Sequence, residues 1–225
     1  MRLKVKWLSG VALAGLIAGC AGSLLETNIP PVQTYQLAAL AAQAPAVAPF
    51  DALLLVTRPL VAPGLDTERI VVVHADRRLD YFTASQWGAP LPEVVQNVVV
   101  QSLQNTGRLR GVQRNLGNFR PDFVLQLDVR ACQAEYAANG APVVRVDIIG
   151  TIGRLNDRGT VLSFAAGATE PASANTMTAV AAAFDKSLQS ATRTLLASSI
   201  EYIGQALGQP DAPQAAPLKP STPSQ

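Results

Sequence analysis

Residues 121–168 constrain the fold most. In "PDFVLQLDVRACQAEYA" (121–137), Phe123, Leu125, Leu127 and Val129 fall on one side and Gln126, Asp128 and Arg130 on the other. A period of two is that of a strand with one face buried. Asn139-Gly140 follows, a pair suited to the positive φ angles of a tight hairpin. "VVRVDIIGTIGRL" (143–155) then returns with Val144, Val146, Ile148 and Ile152 inward. Asn156-Asp157-Arg158-Gly159 turns again, and "TVLSFAAGA" (160–168) runs back. The reading is an antiparallel meander of three long strands. Its apolar face has to be covered by other parts of the chain.

Two segments have the period to cover it. In "PLPEVVQNVVVQSLQNTG" (90–107), Leu91, Val95, Val98, Val99, Ser102 and Leu103 form a helical stripe. Pro90 or Pro92 suits its first turn, Glu93 its positive N-terminus and Gly107 its C′ position. A longer helix is expected over about 174–206, with Ser173 as N-cap. Its stripe is Met177, Val180, Ala181, Phe184, Leu188, Ala191, Leu195, Ser199 and Tyr202.

Upstream, strands are expected at 34–40, at 52–61 with an edge or bend at Pro59, and at 111–116. Ile70 to Val73 is a continuous apolar run, as in a strand covered on both faces. It leads through Ala75-Asp76-Arg77 into a second arm with Leu79, Tyr81 and Thr83, so a hairpin is expected. The fold class is α+β: a mostly antiparallel, twisted sheet with two helices packed on one face. After residue 208 the chain carries five prolines among Gln, Ala and Ser, and 208–225 reads as a disordered tail.

The start of the chain bears on compartment. Arg2, Lys4 and Lys6 precede an apolar run from Trp7 to Ala18, the layout of a signal peptide. A membrane span needs about 20 apolar residues, and the apolar character fades from residue 19 onward. Ile17-Ala18-Gly19-Cys20 resembles the bacterial lipobox. The resemblance implies cleavage before Cys20, a diacylglycerol thioether on its sulfur and an acyl chain on the new amine. Two or more acyl chains hold a protein stably to a bilayer. Ala21 stands where Asp tends to retain such proteins in the inner membrane, so the resemblance points to the outer membrane, with the body in the periplasm. The expected organisation is a leader (1–19), a tether (20–33), one domain (34–207) and the tail. Loss of the leader removes three of the 18 basic residues against 16 acidic ones, so the mature charge is slightly negative. With no basic patch, no nucleic-acid partner is expected.

Little in the chain suggests catalysis. The lone histidine, His74, sits in an apolar strand with no HExxH, CxxC or GxSxG motif anywhere. "GTIGRLNDRG" (150–159) lies on strand and turn, unlike a phosphate loop, which joins a strand to a helix. Asp128 and Arg130 are expected to face Arg145 and Asp147 as cross-strand charge pairs. With Cys20 lipidated, Cys132 remains alone and reads as a small packed residue. No metal site and no cofactor beyond the acyl chains on Cys20 are expected. Tyr81, Phe82 and Trp87 precede the first helix. They read first as a staple onto its start, and second as a candidate partner-docking patch.

The stretch "LDTERIVVVHADRRLDYFTASQWGAPLPEVVQNVVVQSLQNTG" resembles the ABC-type transport auxiliary lipoprotein family, the PqiC-like proteins. The resemblance rests on Arg69-Ile70, Tyr81-Phe82, Trp87, Leu91-Pro92 and Thr106-Gly107, then on the strand "RPDFVLQLDVRACQAEY" and a closing helix with Val180-Ala181 and Phe184. It spans roughly residues 34–205. It implies a non-catalytic partner of a transporter with a permease, an ATPase and an MCE-domain periplasmic protein, moving phospholipid or other hydrophobic molecules across the envelope. A homo-oligomer stays open. Two other classes compete: a structural envelope lipoprotein or assembly chaperone, and a module that encloses an acyl chain.

Overall fold

A computed structural model describes residues 31–42, 47–117, 119–137, 140–155 and 161–208. The leader, Cys20, nearly all of the tether, Asn139, the turn expected at 156–159 and the tail beyond residue 208 lie outside the described residues. In chain order the elements are β1 (Gln33–Tyr35), β2 (Phe50–Val56), β3 (Leu60–Val61), β4 (Arg69–Val73), β5 (Leu79–Trp87), α1 (Leu91–Asn105), β6 (Leu109–Gln113), β7 (Phe123–Glu135), β8 (Val143–Arg154), β9 (Leu162–Pro171) and α2 (Met177–Ala206).

β7 is the spine. Along one edge it pairs antiparallel with β8, and β8 pairs antiparallel with β9. This is the meander expected from the alternation. Along its other edge β7 receives three shorter strands in succession, all parallel to it. β2 pairs at Phe123–Leu125, β3 at Asp128–Val129 and β4 at Ala134–Glu135. β6 joins β2 in parallel, β5 joins β4 antiparallel and β1 joins β5 in parallel. The sheet is therefore mixed. Its antiparallel part is the meander and the β4–β5 hairpin.

Local chemistry explains how the chain climbs the edge of β7. After β2, the Thr57 N–H still reaches the Leu125 carbonyl. Pro59 then has no N–H to offer and the ladder breaks at this residue. It resumes at β3 and again where the Ala62 N–H donates to the Val129 carbonyl. Gly64, at φ 89°, makes the turn toward β4.

Three expectations are corrected. The first strand ends at Tyr35 instead of residue 40, because helix side chains take its later backbone groups. Ala38 N–H donates to Asp185 Oδ1 at 2.8 Å, Leu40 N–H to Ser102 Oγ at 3.0 Å, and Asn105 Nδ2 to the Leu40 carbonyl at 2.7 Å. α2 begins at Met177 with Thr176 as N-cap, not Ser173. The Ala172 N–H is bonded to the Pro142 carbonyl, which holds the chain to the meander just before Ser173. The expected cross-strand charge pairs are absent. Val129 faces Ile148 but Ala131 faces Asp147, so Arg130 is an extra residue, a β-bulge. Arg130 instead pairs with Asp128 of its own strand at 3.5 Å, and Arg145 with Asp147 at 3.3 Å. The same bulge moves the inward set from odd to even positions, from Phe123–Val129 to Cys132 and Ala134.

α1 lies at the β2–β6 end, where Gln96 Nε2 donates to the Val56 carbonyl at 2.9 Å. α2 runs along β7, β8 and β9. Inward residues of both helices and of the sheet form one core, with Val95, Val99, Phe123, Leu125, Ile148, Phe184 and Leu195 all at 0% exposure. Each such large apolar side chain contributes about 1.5–3 kcal/mol on burial.

Candidate functional site

The aromatics that precede α1 do not share a surface. The β4–β5 register jumps, with Arg69 opposite Gln86 but Val71 opposite Tyr81. Extra residues sit on β5 around Ala84, a non-glycine residue at φ 50°. Beyond this irregularity the chain re-pairs, the Trp87 N–H donating to the Glu68 carbonyl at 2.7 Å. Trp87 is 1% exposed, its ring edge-on to Phe184 with centroids 5.1 Å apart. It is a core residue, and its indole is not presented to a partner. Tyr81 is half-buried beneath the Arg69 guanidinium, 3.7 Å from the ring centroid. Phe82 is half-buried beside Tyr136, with centroids 6.4 Å apart.

Tyr136 stands out in no sequence pattern, yet it gathers this corner. It stacks on His74 at 6.1 Å, and its hydroxyl donates to Asn175 Oδ1 at 2.6 Å, tying the end of β7 to the approach to α2. Partial burial raises its hydroxyl pKa. Its only sequence signal is an aromatic at the end of an alternating run. Phe82, His74 and Tyr136 form an aromatic corner that the fold leaves partly open, whereas Tyr81, the neighbour of Phe82 along β5, points to the other face with Arg69.

Several other chemistry-bearing side chains have structural roles. His74 Nε2 lies 3.8 Å from Asp80 Oδ2, too long for a firm hydrogen bond. Asp122 accepts from the Leu53 N–H at 2.8 Å and pairs with Arg110 at 3.3 Å, which fixes the start of β7 beside β2. Arg110 also reaches Asp51 at 3.1 Å. Cys132 is 1% exposed in the core, and burial pushes its thiol from 9.0 up to about 12, so it stays protonated and unreactive. Gly150 and Gly153 lie on β8. Among the described residues no three His, Cys, Asp or Glu side chains cluster to hold a metal ion, and no helix is long and apolar enough to cross a membrane. A shallow hollow of about 260 Å³ lies between the segment after β1 and α1, lined by Tyr35, Leu37, Val94, Asn97 and Val98 among others. It is smaller than the usual ligand pocket of about 300–1,000 Å³.

A spine strand with strands climbing its edge and two helices on one core make the frame of the body. Comparison with known families assigns it to one of them. The model of a family described as ABC-type transport auxiliary lipoprotein component matches residues 35–195. The chain belongs to this family. Its members are auxiliary components of transport, and the sequence resemblance is thereby supported across most of the body. Among solved structures, protein XCC0632 from Xanthomonas campestris, of the DUF330 family, is similar with a TM-score of 0.69 and 26% identity. The match covers 79% of this chain and 99% of that one. An uncharacterized protein matches with a TM-score of 0.56 over 75% of this chain and 98% of its own. At 15% identity that second likeness is one of fold alone. Among curated proteins no match is found.

Proposed function

We propose that this transport auxiliary lipoprotein is anchored to the outer membrane through acyl chains on Cys20 and stands in the periplasm. There it acts as a non-catalytic component of an MCE-type ABC transporter that moves phospholipid or other hydrophobic molecules across the envelope. The observation that carries the reading is the family match over residues 35–195. The lipobox-like Ile17-Ala18-Gly19-Cys20 behind a basic, apolar leader supports the anchor. The hollow beside α1, at about 260 Å³, is small for an acyl chain, which favours a docking protein over one that encloses such a chain. The partly open corner of Phe82, His74 and Tyr136 is a fitting contact for the periplasmic partner, because aromatic side chains dominate interface energetics.

The test is crosslinked capture of the protein from native envelopes, read by mass spectrometry, with Cys20→Ala and Phe82→Ser alongside. Recovery of an MCE-domain protein and its permease is expected, reduced in both variants. Recovery of only outer-membrane or cell-wall proteins would replace this reading with that of a structural envelope lipoprotein.

A further inference from the structure

Exposed apolar side chains collect at one end of the sheet, where β7 starts and β8 ends. β6 and β7 flank β2, so the connection between them spans β2. Within it Leu116 and Phe119 are each 73% exposed. Gln113 Nε2 donates to the Phe119 carbonyl at 3.3 Å, which keeps this stretch beside the strand ends. The neighbouring connection adds Leu155 and Val161, 44% and 61% exposed. Leu155 N–H donates to the Asp122 carbonyl at 2.9 Å. A methyl group on Gly153, opposite Val124 of β7, would come within 3.3 Å of Val161. Both connections thus meet at the start of β7.

Single exposed apolar residues are ordinary, whereas a cluster on adjoining connections is not. Among the described residues the cations at this end outnumber the carboxylates. Arg110 is matched by Asp51 and Asp122 here, and Arg130 and Arg145 farther along the sheet by Asp128 and Asp147. Arg114, Arg120 and Arg154, which bracket the apolar side chains, have no carboxylate partner among the described residues. Arg114 bonds to the neutral Asn97, and Arg154 lies over the Phe123 ring.

We infer that this end of the sheet is a membrane-contact tip for an anionic phospholipid surface, with Leu116 and Phe119 entering the interface while Arg114 and Arg120 meet the headgroups. Protruding apolar side chains edged by unmatched cations have the chemistry of an interfacial segment. The inference rests on the envelope-lipoprotein reading for its setting, but its evidence is separate from the Cys20 anchor.

The test uses mature protein purified from envelopes and mixed with vesicles of phosphatidylethanolamine, with or without phosphatidylglycerol, some carrying acyl-brominated lipid. Flotation on the vesicles without phosphatidylglycerol reads the acyl anchor. A Phe119→Trp variant reads the tip against the buried Trp87 of the parent protein. A blue shift and bromine quenching of the new tryptophan are expected only with phosphatidylglycerol. Both should be lost in high salt and when Arg114→Gln and Arg120→Gln are added. Failure to float, with tip quenching intact, would count against the anchor and leave the tip standing. Floating protein in which the introduced tryptophan still emits as in water would overturn the tip and leave the anchor. Quenching that ignores phosphatidylglycerol, or shielding that appears only when a partner protein is added, would also overturn it. Near-UV circular dichroism confirms that each variant is folded.

Discussion

At the scale of single residues, Cys132 shows how burial decides chemistry. Its strand-like neighbours read as those of a small packed residue, and the alternation of β7 with the bulge at Arg130 turns it into the core. Its pKa near 12 in the folded state exceeds the ordinary 9.0 because the thiolate would be desolvated. The folded state therefore keeps a proton that the unfolded state releases above pH 9. Stability should fall as pH rises from about 9 toward 12, and not below. Urea titrations at pH 8 and pH 10 measure this. The loss between them should shrink in Cys132→Ala, and an equal loss in parent and variant would show that other groups are responsible. A thiol reagent should label Cys132 only after unfolding. Trp87 carries a similar lesson. Its place in the chain admitted both a packing and a docking role, and the irregularity at Ala84, which no alternation pattern announces, turned it inward against Phe184.

At the scale of elements, the contact between α2 and the meander turns on Gly150. A Cβ built there would fall 2.7 Å from Phe164 Cζ and 3.0 Å from Leu195 Cδ2. The glycine lets a ring from β9 and a leucine from α2 meet over β8. Gly150→Ala should destabilise by about 1–3 kcal/mol, the usual cost of overpacking, whereas Gly117→Ala, with open space around it, should cost far less. Thermal denaturation of both variants checks this, and equal midpoints would mean that the packing around Gly150 yields freely. The run "GTIGRLNDRG" excluded a phosphate loop through its strand context but offered no packing reason for the glycine. The elements themselves were readable where one period ran long, as in β7, β8, α1 and α2. They were misplaced where side chains outbid the ladder. β1 stops early because Asp185, Ser102 and Asn105 take its backbone partners. These bonds join residues 62 or more positions apart, and local pattern carries no trace of them.

At the scale of the whole molecule, pairing order was the least legible feature. An alternating or apolar strand does not state whether its neighbour runs parallel, so β2, β3 and β4 on the edge of β7 could not be foreseen. That arrangement has a consequence for stability. β7 is hydrogen-bonded on both edges along most of its length, and β8 lies between β7 and β9. β1 and β3, by contrast, are three and two residues long and largely exposed. The backbone amides at the centre of β7 and β8 should exchange only through global unfolding, and those of β1 and β3 through local opening at much lower free energy. Hydrogen exchange followed by mass spectrometry on the mature protein measures this. Peptides covering 123–129 and 144–152 should be the last to exchange, and their rates should track denaturant-induced unfolding. Faster exchange at 123–129 than in α2 would mean that the parallel strands detach from the spine before the fold is lost. The body would then be two cooperative units joined at β7. The proposed docking role requires a single unit, because a partner bound at the β4–β5 corner would otherwise feel none of the restraint imposed at the opposite end of the sheet.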